Sequence, residues 1–201
     1  KLDLVRRWQG ERAFLIGHQL LHGQLEARDA ATHWSDLADT CICSMAAAAE
    51  AETIRKFGPA PGSWSVIGLG KLGGREMTAG SDLDLVVIYD PKESSDAQTW
   101  FTRFTQRLIS ALSAETGEGA LYEVDMRLRP SGRSGPVATS IASFERYHHE
   151  NAWTWEHMAL TRLRPIAGDA PLGAEISAIA ERMINAGDPD QRTADIRDMR
   201  E

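Results

Sequence analysis

The chain has 201 residues, of which 42% are hydrophobic and 25% charged, with a formal net charge of −7. That composition suits a globular domain with one sizeable core. It argues against a general nucleic-acid binder, which would carry a basic stripe, and no apolar run approaches the ~20 residues of a membrane span. No signal peptide is visible at Lys1-Leu2-Asp3-Leu4, and the two ends read like those of a piece cut from something longer.

Residues 3–57 read as helix. A first helix holding Trp8, Leu15 and Leu21 ends near Ala27, with Asp29 or Thr32 available to start the next. There Trp34, Leu37, Cys41, Met45 and Ala48 recur at helical spacing, until Gly58-Pro59 stops the run. Cys41 and Cys43 sit about 200° apart on that helix, so they can neither bond to each other nor clamp a metal. Both are expected to be reduced and buried or half-buried, which fits a cytoplasmic protein.

Ser65-Val66-Ile67 is a short strand, followed by a glycine-rich turn and a strand from Leu83 to Tyr89. A polar loop from Asp90 to Gln98 leads to a helix marked by Phe101, Phe104, Leu108 and Leu112, stopped around Gly117-Gly119. The run Leu121 to Arg129 alternates almost without fault. It predicts a strand with Tyr122, Val124, Met126 and Leu128 inward and Glu123, Asp125, Arg127 and Arg129 on the other face. After a loop from Pro130 to Pro136, helices are expected over Ser140–Leu163 and Ala174–Met183, with Trp153 and Trp155 read first as helix core. The parts amount to an α+β fold: a small mixed sheet flanked by helices. They divide into an N-terminal helical segment (1–58), a core (59–139) and a C-terminal helical segment (140–201).

The chemistry gathers around Asp82 and Asp84. Residues i and i+2 of a strand point to one face, so the two carboxylates project together. Charges ~4 Å apart repel by about 4 kcal/mol at an effective dielectric of 20, so the arrangement is easiest to keep with cations between the acids. Magnesium suits a site of carboxylate, water and phosphate oxygens. With Asp125 on a later strand, three carboxylates could hold two Mg2+ ions, as phosphoryl or nucleotidyl transfer requires. Glycines of the turn (Gly70, Gly73, Gly74) let backbone approach phosphate closely, with Lys71 between them. Ser81 could add a hydroxyl contact, and Arg127 and Arg129 could reach phosphate.

Two competing motifs are present. Gly68-Leu69-Gly70-Lys71-Leu72-Gly73 matches a dinucleotide-binding fingerprint, with Asp90 near the ribose position. Only about nine residues separate Gly73 from Leu83, too few for a crossover helix, and the fingerprint leaves Asp82, Asp84 and Asp125 unexplained. His148-His149-Glu150-Asn151-Ala152-Trp153 starts like a zinc-protease motif but ends in Trp, so His148, His149 and His157 are read as surface or packing residues.

These residues resemble the DNA-polymerase-β-type nucleotidyltransferase superfamily and, more narrowly, the glutamine synthetase adenylyltransferase family. The resemblance rests on Ile67 to Gly74 with Ser81-Asp82-Leu83-Asp84-Leu85, on Tyr122 to Gly132, and on Asn151 to His157. It implies a nucleotidyltransferase fold, ATP as substrate, Asp82 and Asp84 as metal ligands, and Asp125 completing the site and helping to activate a tyrosine hydroxyl of glutamine synthetase. Members of the family both attach AMP and remove it by phosphorolysis, and respond to glutamine and the PII signal protein. Arg129-Pro130-Ser131-Gly132 and Ala152-Trp153-Thr154-Trp155-Glu156-His157 are similar to the attaching domain. The removing domain and a non-catalytic ATP-sensing module stay open as alternatives. So does the choice between Gly70-Lys71 and Gly73-Gly74 as the phosphate-touching pair.

Overall fold

In the computed structural model, residues 2–92, 96–186, 193–195 and 197 are described. Helix α1 (Leu2–Leu21) and helix α2 (Ala27–Phe57) are separated by a turn in which Gly23 has φ +65°. Helix α2 starts two residues earlier than Asp29, which falls in its first turn, where a carboxylate suits the positive end of the helix dipole. Thr32 is already inside the helix, its hydroxyl donating to Arg28 O at 3.2 Å. Gly58, with φ +82°, ends α2 and donates its N–H to Ile54 O at 2.9 Å.

There follow β1 (Gly62–Gly68), the single turn α3 (Gly70–Gly73), β2 (Leu83–Pro91) and α4 (Ala97–Ser113). After them come β3 (Val124–Asp125), a 3-10 turn at Gly132–Ser134, β4 (Ala138–Ser140) and α5 (Ile141–Glu150). The last elements are α6 (Thr154–Leu160), β5 (Arg164–Gly168) and α7 (Ala170–Asn185).

The sheet runs β3-β2-β1-β5, and β4 also pairs with β2. Strand β1 is antiparallel to both β2 and β5, whereas β3 and β4 run parallel to β2, β3 beside its start and β4 beside its end. The antiparallel β1–β2 pair removes the dinucleotide-binding reading, which needs a parallel pair and a crossover helix.

Strand β2 is buried on both faces because its alternation is apolar twice over. Leu83, Leu85, Val87 and Tyr89 join Trp64 and Val66 in a core with α2 and α4. Val86 and Ile88 join Ile67, Phe144, Ile176 and Ile179 in a second core with α5 and α7. Each such side chain contributes about 1.5–3 kcal/mol on burial. The architecture is thus mixed α+β, a small sheet between helical layers.

Five expectations need correction. The strand expected over Leu121 to Arg129 pairs only at Val124–Asp125. Beyond it the chain turns back, Arg127 N donating to Asp125 Oδ1 at 2.8 Å and Arg129 N to Met126 O at 3.2 Å. Tyr122 and Val124 therefore pack on the first core and Leu128 on the second. The expected helix from Ser140 to Leu163 is two helices, broken at Asn151–Trp153. Trp153 and Trp155 are 72% and 45% exposed rather than core. The stretch after Leu163 is strand β5, and α7 begins at Ala170 because Asp169 caps it, accepting from Leu172 N at 2.8 Å. Cys41 is buried and free, but Cys43 is exposed.

Candidate active site

The register of β2 against β3 sets Asp84 directly beside Asp125, on one face of neighbouring strands. Asp82 lies one residue before β2, two positions from Asp84. Asp84 is half-buried. Burial first, then the charges of Asp82 and Asp125, push its carboxyl above the usual carboxylate range, against a smaller opposing pull from Arg127 and Lys71. A half-buried acid crowded by two others is a concentration of negative charge that oxygen-seeking cations fit.

Asp125 is held differently. Arg127 grips it through Nε–Oδ2 at 2.6 Å and Nη2–Oδ2 at 2.5 Å, and that hydrogen-bonded guanidinium keeps its carboxyl below the usual range. Among the described residues, no three Asp, Glu, His or Cys side chains are gathered tightly enough to clasp a metal ion. Asp125 faces Arg127 instead of completing a ring with the other two acids. Three carboxylates suit magnesium in kind, but Asp125 would have to release Arg127 to join the other two.

The glycine turn is wedged against these acids. Leu69 N donates to Asp84 O at 2.9 Å, and Gly70 has φ +50°. A Cβ on Gly70 would stand 2.0 Å from Asp84 Oδ2, so only glycine lets the turn meet the carboxylate. Lys71 is exposed close by. Gly73 and Gly74 turn the other way, toward the turn that leads into β5: a Cβ on Gly73 would lie 1.8 Å from Arg162 O, and one on Gly74 3.3 Å from Arg162 Nη1. Gly70-Lys71 is thus the pair beside the acids.

The remaining expected residues have local partners. The Ser81 hydroxyl accepts from Thr78 N and meets Thr78 Oγ1, both at 2.9 Å, inside the turn that precedes β2. Arg129 donates to Met126 O at 2.7 Å, Arg133 O at 3.2 Å and Gly135 O at 3.3 Å, binding the 126–135 loop into one piece.

Several residues went unnoticed in the sequence. Arg164, on β5, pairs bidentately with Asp39 of α2 at 2.7 and 3.0 Å. It also donates to Leu72 O at 2.9 Å and Gly73 O at 3.2 Å, so it clamps the glycine turn from behind. Arg162 pairs with Glu76 at 2.5 Å, and Arg75, with φ +58°, pairs with Asp36 at 2.6 Å. Buried Glu156 accepts from Tyr147 Oη at 2.8 Å and Trp153 N at 2.9 Å, joining α5 to α6.

The glutamate-ammonia ligase adenylyltransferase family model matches residues 1–179. The chain belongs to that family. A bifunctional glutamine synthetase adenylyltransferase/adenylyl-removing enzyme of Agrobacterium fabrum is 48% identical over 99% of the chain and 21% of its own length. Proteins of the same description are 50% identical in Mesorhizobium japonicum, over 88% of the chain and 19% of the relative, and 47% identical in Brucella suis, over 100% and 22%. The chain spans about a fifth of the length of these adenylyltransferase relatives. Its mixed sheet between helices agrees with a nucleotidyltransferase-like fold. No helix among the described residues of this adenylyltransferase-family chain is long and apolar enough to cross a membrane.

Proposed function

We propose that this chain transfers AMP from ATP to a tyrosine hydroxyl of glutamine synthetase; its relatives are named as adenylyltransferases and adenylyl-removing enzymes of glutamine synthetase. The observation that carries the reading is the pairing of Asp84 with Asp125 in register, with Asp82 just ahead and Gly70 pressed against the Asp84 carboxylate. Asp82, Asp84 and Asp125 would hold two magnesium ions, which would supply neutralisation of the triphosphate and polarisation of the reacting oxygens.

The chain's own groups do the rest. Gly70-Lys71 takes the phosphates on the β1 side of the acids, backbone close and the ammonium free to pair with them. The tyrosine oxygen bonds to the α-phosphorus as the bond to the bridging oxygen of the β-phosphate breaks, and pyrophosphate leaves. Asp125, freed from Arg127, takes the phenolic proton. Ser81 and Arg129, whose polar atoms are already engaged, are assigned to holding the site in shape rather than to phosphate.

The core that does this extends past residue 139, because β5 belongs to the sheet; residues 1–58 and the α7 end are flanking helical segments. ATP as substrate and two free cysteines suit the cytoplasm, and we assign any response to glutamine or the PII protein to the length of the relatives that this chain does not span.

The test uses ATP labelled at the α-phosphate, with magnesium and unmodified glutamine synthetase. Label should move to the partner, and Asp82→Asn or Asp84→Asn should lower transfer by roughly a thousandfold or more while circular dichroism stays unchanged. Full transfer by the double variant would rule the mechanism out. Removal of AMP from modified glutamine synthetase in phosphate, without forward transfer, would assign the chain to the opposite direction.

A further inference from the structure

A cleft of about 490 Å³ follows the outer side of β3, lined by Asp82, Glu123, Asp125, Arg127, Arg129 and Arg133 among others. Strand β3 is the edge of the sheet, so among the described residues one side of it has no strand neighbour. None of the residues of the glycine turn lines this cleft. The acids thus have two approaches: the Gly70-Lys71 side, and the β3 side with its arginines.

The three arginines differ. Arg129 is spent on backbone carbonyls. Arg127 is bound to Asp125, with its side chain 66% exposed. Arg133, exposed on the 3-10 turn, makes no side-chain hydrogen bond or ion pair among the described residues. The turn that carries it is fixed by construction: Ser131 and Gly132 have φ +62° and +52°, and Arg129 holds the Arg133 carbonyl. A cation set on a braced turn at the mouth of a cleft, in a chain of net charge −7, invites an anion.

We infer that Arg127 and Arg133 form the acceptor-side subsite, and that the polypeptide segment it receives carries acidic residues beside the target tyrosine. This rests on the reading above, in which the nucleotide phosphates take the Gly70-Lys71 side and Asp125 must release Arg127 to serve the reaction. Arg127 then turns from Asp125 to a carboxylate of the incoming segment, so acceptor entry and assembly of the acids favour each other. Arg133 supplies the second contact a few residues along the segment. Guanidinium–carboxylate pairing at two points also fixes the register of the tyrosine with respect to Asp125.

Binding is measured by fluorescence anisotropy with three labelled peptides of ~11 residues, each with a central tyrosine flanked by Asp and Glu, by Asn and Gln, or by Lys. Magnesium and a non-hydrolysable ATP analogue are present throughout. The acidic peptide should bind about tenfold tighter than the neutral one, and the difference should shrink as salt rises from about 50 to 300 mM. Arg133→Ala should erase most of that preference, and Arg133→Glu should shift it to the Lys-flanked peptide. Both should leave binding of a fluorescent ATP analogue, and the circular dichroism spectrum, unchanged. Equal affinity for the three peptides overturns the inference. So does loss of ATP-analogue or inorganic pyrophosphate binding in Arg133→Ala, which would give the arginine to the nucleotide. Failure of the chain to bind ATP at all, with peptide discrimination intact, would sink the proposed reaction and leave the anion-binding subsite standing.

Discussion

His148 is buried against the rings of Phe144, Tyr147 and His157, and both of its ring nitrogens lack a hydrogen-bond partner among the described residues. Burial, and secondarily the charge of His157, pull its pKa down to about 4. The imidazole is therefore neutral in the folded protein at pH values where an unfolded one is charged. Between about 6.5 and 4 the unfolded chain binds the extra proton, so the protonation penalty at His148 grows as pH falls through that window and vanishes above it. The full effect is about 3 kcal/mol. Denaturant titrations of His148→Leu against the parent should give a gap that moves in favour of the variant from pH 7 to pH 4. A gap that stays constant over that range would show that His148 keeps an ordinary pKa. Expecting His148 to be a surface or packing residue needed only its failed metal-protease context. Its depressed pKa depends on which rings surround it, and those come from α5 and α6 together.

At the scale of elements, the glycine turn is positioned by a strand that the sequence did not announce. Strand β5 is short, contains Pro165 and is half-exposed, so it lacks the unbroken apolar run that marked β2. Arg164 on it meets Asp39, 125 positions away in the chain, and no local pattern reports a pairing at that distance. Asp84 and Asp125 could be placed for the opposite reason: each falls on a strand, and Asp125 needed only to fall on a neighbour in register, whereas Asp82 stands one residue outside β2, where i, i+2 spacing no longer fixes its face. The alternation through Arg129 misled because period two describes sequence, not hydrogen bonding, and the Asp125 carboxylate itself turns the chain by accepting from Arg127 N.

Arg164→Ala would leave the Leu72 and Gly73 carbonyls and the Asp39 carboxylate without their donor, a cost of about 2 kcal/mol and roughly 4–8 °C in Tm. Structural loss alone would stop there. Because Arg164 positions the turn, Arg164→Ala should also raise KM for ATP about tenfold with a much smaller change in kcat, and Arg164→Lys should restore stability more fully than KM, since an ammonium cannot reproduce the bidentate fork. An unchanged KM in both variants would reduce the clamp to a fold contact.

Over the whole molecule, two apolar cores hold β1 and β2 from opposite faces, and the acids stand where that support ends, at the first residues of β2 and the two-residue strand β3. The sheet can therefore tolerate at Asp84 an arrangement that opposes folding. Burial and two neighbouring carboxylates oppose the charged form of Asp84, so ionising it costs the metal-free protein stability. Asp84→Asn keeps the shape and removes the charge. It should lower AMP transfer by roughly a thousandfold or more while raising the Tm of the metal-free protein. The pH dependence has a definite sign. Because the folded-state pKa of Asp84 is raised, the folded protein binds the proton more readily than the unfolded chain between the ordinary value of 3.8 and the raised one. The parent should gain on the variant as pH falls through that window, and the advantage of Asn should be largest above it. Saturating magnesium should reverse the ranking at neutral pH, since the ion compensates a charge that asparagine no longer has. A variant less stable than the parent without magnesium, at every pH, would mean that the Asp84 carboxylate is held by partners other than the two acids beside it.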